Sequence, residues 1–287
     1  MKNVLITGGN GQLASCIKDV VKDLNKYNFN FIDIEDLDIT DENSVNTFFE
    51  LQKPVWCINC AAYTAVDMAE SDSDTAKSVN VVGPKLLALA SKNNGTKFIQ
   101  ISTDFVFDGL KGTICTETDK TNPVSVYGDT KLKGEIAVIN EVEEHFVLRT
   151  SWLYSEHGNN FLKTMLRLGS ERDKLNVVCD QVGTPTYGGD LAQLIVNLIQ
   201  NESTAYGVYH YSNEGVASWY DFAKVIMYER KITCKVLPIN TDEYPTPAKR
   251  PAYSVMDKSK IKGTFNIEIP YWKDSLRKCL SKLNNND

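Results

Sequence analysis

Thr7-Gly-Gly-Asn-Gly-Gln-Leu-Ala14 follows the apolar run Val4-Leu-Ile6 and leads into a helical stretch from Gln12 to about Leu24. Gly8 and Gly11 lie three apart, with Ala14 in a third small position, which permits a tight turn and a close backbone approach. The helix that follows offers free N–H groups and the positive end of its dipole to an anion. The stretch therefore reads as a strand, a glycine turn and a helix arranged to hold the pyrophosphate of a dinucleotide, with Gly8, Gly11, Gln12 and Leu13 as contacts.

The residues downstream extend this reading. A strand over Asn30 to Ile34 carries Asp33, about 20 residues beyond the glycines, where a carboxylate bonds the adenosine ribose and repels a 2′-phosphate. Ile34 and Glu35 come next and no arginine follows, so the expected cofactor is NADH or NADPH with a lean to NADH. Asp38 and Ile39 are placed beside the adenine, and Ala61, Ala62, Tyr63 and Thr64 line the cofactor after a third strand at Val55 to Asn59. Helices at Glu42 to Lys53 and Thr75 to Asn93, and strands at Lys97 to Ser102 and Phe146 to Arg149, continue the alternation. Such alternation predicts an α/β fold, a Rossmann-type doubly wound parallel sheet. Beyond Ser151 the regularity weakens, with helices near Asn160 to Ser170 and Asp190 to Ile199 and a strand at Val208 to Tyr211. The expected division is a dinucleotide-binding domain over 1–150 and a smaller mixed α/β substrate lobe over 151–287, with some segments returning to the first domain.

Tyr127 and Lys131, in Val126-Tyr-Gly-Asp-Thr-Lys131, carry the chemistry. On a helix the i, i+4 spacing puts phenol and ammonium on one face with Cβ atoms roughly 5–6 Å apart. A phenol titrating near ~10 is a poor acid at neutral pH, and a neighbouring cation is expected to draw that value down. Thr103, in Ser102-Thr-Asp-Phe-Val-Phe107, supplies a hydroxyl for a carbonyl oxygen. Tyrosine, lysine and threonine after a glycine turn spell reduction of a ketone: hydride to carbon, and a proton from Tyr127 to oxygen.

Composition narrows the setting. The chain has 287 residues, 42% hydrophobic and 24% charged, with no apolar run of the length a membrane helix needs. Met1 runs almost directly into a strand, with no cleavable signal, so a cytoplasmic protein is expected. A net charge of -6 without a basic block argues against nucleic-acid binding. Seven irregularly spaced cysteines read as buried free thiols; Cys57 and Cys60 form a Cys-x-x-Cys, but within a strand, where i and i+3 point to opposite faces. His145, His157 and His210 have no ligand spacing, and no metal is expected. Pro238 to Pro251 reads as an ordered loop and the tail from Asn284 as frayed.

With these motifs in view, the chain resembles the extended short-chain dehydrogenase/reductases and, within them, the dTDP-4-dehydrorhamnose reductase subfamily over nearly its whole length. The resemblance is carried by Gly11-Gln-Leu13, Asp38-Ile-Thr-Asp41, Asn59 to Glu70, Ser102 to Gly109, Asn122 to Lys131, Arg149-Thr-Ser-Trp152, His157 to Phe161, Asp180 to Thr186 and Pro245 to Pro251. It implies NAD(P)H-dependent reduction of a dTDP-linked 4-keto sugar, with Tyr127 as proton donor, Lys131 binding cofactor and Thr103 assisting. It also implies that Thr103, Asp104 and Trp152 contact the sugar nucleotide and that Asn80 stands at the cofactor site as the family's structural-catalytic asparagine. Arg250 and Lys249 are candidates for the nucleotide diphosphate, by charge-assisted bonds. Some members dimerise through a magnesium site with an acidic residue early in the first helix; Ala14-Ser-Cys-Ile-Lys18 has none, and a homodimer stays open. Three alternatives stand beside this reading: a reductase of another nucleotide-linked 4-keto sugar, a non-catalytic dinucleotide-binding regulatory subunit, and a nucleotide-sugar epimerase or dehydratase, which keeps the same tyrosine and lysine but holds and regenerates its cofactor.

Overall fold

The structure, a computed structural model, describes residues 1–284; the expectation for the tail beyond Asn284 lies outside them. In the first half the chain runs β1 (Lys2–Thr7), α1 (Gln12–Val20), β2 (Tyr27–Ile32), α2 (Glu42–Gln52), β3 (Trp56–Asn59), α3 (Ser73–Lys77), α4 (Gly83–Asn94), β4 (Lys97–Thr103), α5 (Val126–Glu141) and β5 (His145–Thr150). It continues β6 (Leu153–Tyr154), α6 (Phe161–Glu171), β7 (Lys174–Val178), β8 (Val182–Gly183), β9 (Thr186–Tyr187), α7 (Gly188–Gln200), β10 (Gly207–His210), β11 (Ala217–Ser218), α8 (Trp219–Glu229), β12 (Lys235–Ile239), α9 (Ser259–Phe265) and α10 (Trp272–Asn284). No helix among the described residues is long and apolar enough to cross a membrane.

Six parallel strands form the main sheet in the order β10-β5-β4-β3-β1-β2. Its strands are apolar on both faces because both faces are covered. Val4, Ile6, Ile58, Ile99 and Phe146 turn to one side, against Ile17 of α1 and Leu191 and Ile195 of α7. Leu5, Cys57 and Phe98 turn to the other, against Phe49, Leu87 and Val138. The chain leaves β1 outward to β2 and then returns to β3 on the opposite side of β1. That reversal opens a crevice at the carboxyl ends of β1 and β3, the place where open α/β sheets take ligands. The glycine turn after β1 and Ala61 after β3 flank it.

After β5 the chain builds a second core of its own. Leu162 and Met165 of α6, Leu175 and Val177 of β7, Phe222 and Ile226 of α8, Val236 of β12 and Trp272 and Leu276 of α10 pack together. The parallel pair β7–β12 runs from Lys174 opposite Lys235 to Val178 opposite Ile239. Between these elements α7 and β10 return to the main sheet.

The first helix stops at Val20 rather than near Leu24, most other ends shift by one or two residues, and three further differences are larger. The second strand begins at Tyr27 and ends at Ile32, so Asp33 and Ile34 fall in the loop beyond it. The helix expected over Thr75 to Asn93 is interrupted by a π-turn at Ser78–Val82, where the buried Asn80 bonds sideways into the protein. The Pro238 to Pro251 loop contains the end of β12 and a 3₁₀ turn at Thr241–Glu243.

Candidate active site

At the glycine turn Gly8 has φ +63°, and a Cβ there would stand 2.8 Å from the backbone N and Cα of Ala61, a clash no side chain escapes. Gly11 caps α1 without a side-chain hydrogen bond, leaving the first N–H groups of the helix for a ligand. Asp33 accepts from the Asn10 N–H at 2.8 Å and from the Ile34 N–H at 2.9 Å, so its carboxylate is braced beside the turn. These features fit a dinucleotide: a backbone cradle that a Cβ would fill, an uncapped helix end and a fixed carboxylate.

Other candidates divide. Leu13 and Ile39 are buried in the two faces of the core, where only their backbones are placed to meet a cofactor. Gln12 faces the second lobe, donating to the Leu153 carbonyl at 3.2 Å and accepting from Asn160 at 2.7 Å. Asp38 closes a local turn onto Thr40. Ala62 is half-buried, Thr64 is exposed, and the Tyr63 hydroxyl donates to Asp72 at 3.2 Å. Asn80 accepts from the Tyr63 N–H at 2.9 Å and donates to Thr130 Oγ1 at 3.1 Å, so it clamps the loop after β3 to α5.

Helix α5 is capped by Ser125, whose hydroxyl accepts from the Gly128 N–H at 3.2 Å. Tyr127, in its first turn, packs edge-on against Phe105 with ring centroids 5.5 Å apart. Here the structure corrects the expected titration. Burial pushes the Tyr127 phenol up to about 12, with the Thr103 hydroxyl pulling the other way and Asp104 adding to the rise. The Lys131 ammonium donates to the Ile101 carbonyl at 2.7 Å, and burial draws Lys131 down to about 8. Burial, and not the lysine, sets the phenol, so Tyr127 holds its proton across the neutral range.

Below Lys131 one further turn of α5 places Glu135, 1% exposed. Its carboxylate takes a bidentate bond from Arg149 of β5, with Nη2 to Oε2 at 2.7 Å, and accepts the Ser102 hydroxyl of β4. The buried pair ties α5 to β5, and the Ser102 bond ties it to β4, the strand that carries Thr103. Arg149→Ala leaves Glu135 without its cation and is expected to lower unfolding stability by about 3–5 kcal/mol, measured by urea denaturation. A loss under ~1 kcal/mol would mean that the pair is solvated and braces nothing.

Asp104 is buried, and burial pushes its carboxyl up to about 6 against nearby hydroxyls, Ser254 first. Its Oδ2 has no hydrogen-bond partner among the described residues. Trp152 has φ +47° and stacks on Trp219, centroids 3.6 Å apart and planes within 7°. A Cβ at Gly183 would stand 2.8 Å from the Trp152 ring, so the indole is wedged between α8 and β8. Trp219 also lines a cleft of about 670 Å³ with Phe161, Arg172, Lys174, Gln181 and Arg250. Arg250 is paired bidentately with Asp67, while Lys249 is exposed.

Several of these residues escaped the sequence reading. Trp219, Arg172 and Lys174 stand in no motif, and nothing local marks them. Asp67 lies in a quoted stretch, but its pairing depends on a partner far along the chain.

Other titratable groups among the described residues stand away from Tyr127 and Thr103. Burial holds Cys57 well above the usual thiol range and Cys60 up to about 12, so neither is a ready thiolate. His210 is buried and burial draws it down to about 3. Asp19, Glu156 and His157 bring ligand atoms within 4.8 Å of one another. Lys22 holds Asp19 at 2.7 Å and Lys282 holds Glu156 at 2.8 Å, so cations of the chain already neutralise the group.

A doubly wound parallel sheet with a glycine cradle at its switch point, and a threonine, tyrosine and lysine gathered beside it, define an oxidoreductase that uses a nicotinamide dinucleotide. The family described as RmlD substrate binding domain matches residues 1–285. A dTDP-4-dehydrorhamnose reductase of Aggregatibacter actinomycetemcomitans is 41% identical over 288 residues, covering 96% of this chain and 98% of its own. The crystal structure of a dTDP-4-dehydrorhamnose reductase from Clostridium acetobutylicum matches with a TM-score of 0.95 at 45% identity, over 98% of this chain and 99% of that one. A Bacillus anthracis dTDP-4-dehydrorhamnose reductase in complex with NADP gives 0.94 at 39% identity, over 98% and 100%. The chain belongs to the RmlD family of reductases.

Proposed function

We propose that this protein reduces the 4-keto group of dTDP-4-dehydro-L-rhamnose to give dTDP-L-rhamnose. The observation that carries the reading is the meeting of the Tyr127 phenol and the Thr103 hydroxyl at the carboxyl end of β4, beside the glycine cradle. Gly8, Gly11 and the start of α1 would hold the pyrophosphate, Asp33 the adenosine ribose and Lys131 the nicotinamide ribose. The bound dinucleotide supplies the hydride. Thr103 donates a hydrogen bond to the ketone oxygen, and Tyr127, neutral in the resting protein, gives that oxygen its proton as charge develops on it. Asp104 and the Trp152–Trp219 stack bound the sugar, and the adjoining cleft with Arg250 takes the nucleotide diphosphate. In this scheme residues 1–150 bind the dinucleotide and most of 151–287 the substrate.

Asp33 supports use of NADH beside NADPH, since its braced carboxylate disfavours a 2′-phosphate. The test is dinucleotide oxidation, read by loss of absorbance, with dTDP-4-dehydrorhamnose generated in situ. Oxidation with both cofactors is expected, at a kcat/KM at least about tenfold above that for a UDP-linked ketosugar, since an added or missing group in a fitted site is worth a decade or more. Equal rates on the two would move the assignment to another nucleotide-linked ketosugar. Failure of folded, dinucleotide-binding protein to oxidise either cofactor would favour a regulatory subunit.

A further inference from the structure

The short turn after β3 bonds in two directions. At its start, Asp67 Oδ2 accepts from Arg250 Nη2 at 2.7 Å, and Oδ1 accepts from Arg250 Nη1 at 3.1 Å and from the Ala248 N–H at 3.2 Å. One 3₁₀ turn later, at Met68–Glu70, Glu70 Oε1 accepts from the Val126 N–H at 2.8 Å. Val126 is the first residue of α5 and the neighbour of Tyr127. Ala69, between the two carboxylates, is fully buried, and the turn packs on α5. A single structural piece thus grips a loop of the substrate cleft at one end and the catalytic helix at the other.

Neither bond is a strong source of folding stability. Asp67 and Arg250 are both partly exposed, and such pairs contribute little. What a bidentate pair does supply is direction. Asp67 takes one N–H from each terminal nitrogen of Arg250, and Thr246 Oγ1 at 2.6 Å and the Ala248 carbonyl at 3.0 Å draw on Nη1 as well. Among the described residues nothing takes Nε–H or the second N–H of Nη2. Arg250 lines the cleft, so it stands there as a fixed fork with two donors spare. At the other end, the Val126 N–H is one that no residue within the helix can satisfy. A carboxylate on it is favoured by the helix dipole and sets where α5 begins, hence how the phenol is presented.

We infer that the Asp67–Glu70 turn is a strut between the anion-holding loop at 246–250 and the amino end of the Tyr127 helix. Asp67 is a positioning residue for the diphosphate, acting through Arg250, and Glu70 is a positioning residue for the phenol, acting through Val126. The inference rests on the cleft being the nucleotide-sugar site. It differs from that reading in what it assigns to two residues that touch neither substrate nor cofactor.

The test combines a binding measurement with turnover. Affinity for dTDP is measured by titration calorimetry for the wild type and Asp67→Asn, and steady-state kinetics are measured for Glu70→Ala and Glu70→Gln, with melting curves as a check on folding. Asp67→Asn is expected to weaken dTDP about tenfold, because the fork loses its tether, while NADPH affinity stays within about twofold. Glu70→Ala is expected to lower kcat about fivefold at an unchanged dTDP affinity, and Glu70→Gln, which keeps an acceptor for the Val126 N–H, to restore most of it. Unchanged or tighter dTDP binding by Asp67→Asn overturns the strut, and tighter binding would mean that Asp67 competes with the diphosphate. Glu70→Ala at wild-type kcat, or Glu70→Gln as impaired as Glu70→Ala, overturns it at the other end. A wild type that binds dTDP but reduces no dTDP-ketosugar sinks the proposed reaction alone, and the Asp67→Asn affinity still decides the strut. A wild type that does not bind dTDP overturns both.

Discussion

Tyr127→Phe lowers kcat for ketosugar reduction by about 10²–10⁴-fold, the range that loss of a positioned acid costs, and leaves dinucleotide affinity near that of the wild type. The ring stays packed edge-on against Phe105, so the change removes an oxygen and little else. No neighbour is ready to replace it. The Thr103 hydroxyl donates to Asp104 Oδ1 at 3.1 Å and has no acidity to offer near neutral pH. Among the described residues, Asp104 is the one carboxyl beside the phenol that burial has pushed up, to about 6. If Asp104 stands in as donor, the residual rate of Tyr127→Phe rises as pH falls through about 6; if water does, the residual is flat there. A variant that keeps more than about a tenth of wild-type kcat sinks Tyr127 as the donor, since ~1.4 kcal/mol per decade is too little for a lost catalytic acid.

How much of this was legible in the sequence follows from what each feature depends on. The parallel sheet was readable because its strands are covered on both faces and therefore apolar without alternation, and because each glycine or proline break marks a turn. The glycine turn and the Tyr127–Lys131 spacing were readable because their geometry is local. The π-turn at Ser78–Val82 was not, because Asn80 is drawn out of a regular helix by the Tyr63 backbone and Thr130, 17 and 50 residues away. The second core joins β7 to β12, β8 to β11 and Trp152 to Trp219, pairs that no local pattern announces. Arg250 was a plausible cation from its charge alone, but its direction is set by Asp67, 183 residues earlier.

The phenol shows where counting charges along a helix misleads. The i, i+4 spacing sets Tyr127 and Lys131 one turn apart on α5 but says nothing of where the ammonium points or how much water both groups have lost. Lys131 points its proton at Ile101 of β4, and burial moves the phenol and the ammonium apart in titration, each toward its neutral form. For a reductase this arrangement is serviceable. A neutral phenol is the form that can give a proton, and a cation one turn away is useful chiefly when phenolate appears, at the end of the transfer. The Glu135–Arg149 pair beneath keeps α5 seated on β4 and β5 while that charge moves, and Glu135 itself favours the protonated lysine.

Lys131→Met separates that catalytic use from its structural cost. In wild type, kcat is expected to be level from pH 6 to about 8 and to fall above it, because Lys131, drawn down to about 8, loses the charge that stabilises the forming phenolate. Lys131→Met, which never carries the charge, shows no such limb and runs about 10²–10³-fold slower at neutral pH, as for loss of one charge-stabilising donor. Stability moves the other way. In the unfolded chain lysine keeps its proton to about 10.4, whereas in the folded protein it keeps it only to about 8. Below 8 both states are protonated and the buried charge costs folding its full amount. Between the two values the unfolded state holds more protons, so stability rises with pH and the cost disappears. The methionine variant is therefore expected to be more stable than wild type at pH 7, on the order of 1–3 kcal/mol after the unpaired Ile101 carbonyl is set against the gain. That advantage should shrink as pH climbs past 8. Urea unfolding and initial rates at the same series of pH values measure both. A wild-type kcat still level at pH 10 would show that the lysine charge has no part in turnover. A methionine variant less stable than wild type at pH 7 would show that the Lys131 hydrogen bond to β4 outweighs the burial of its charge.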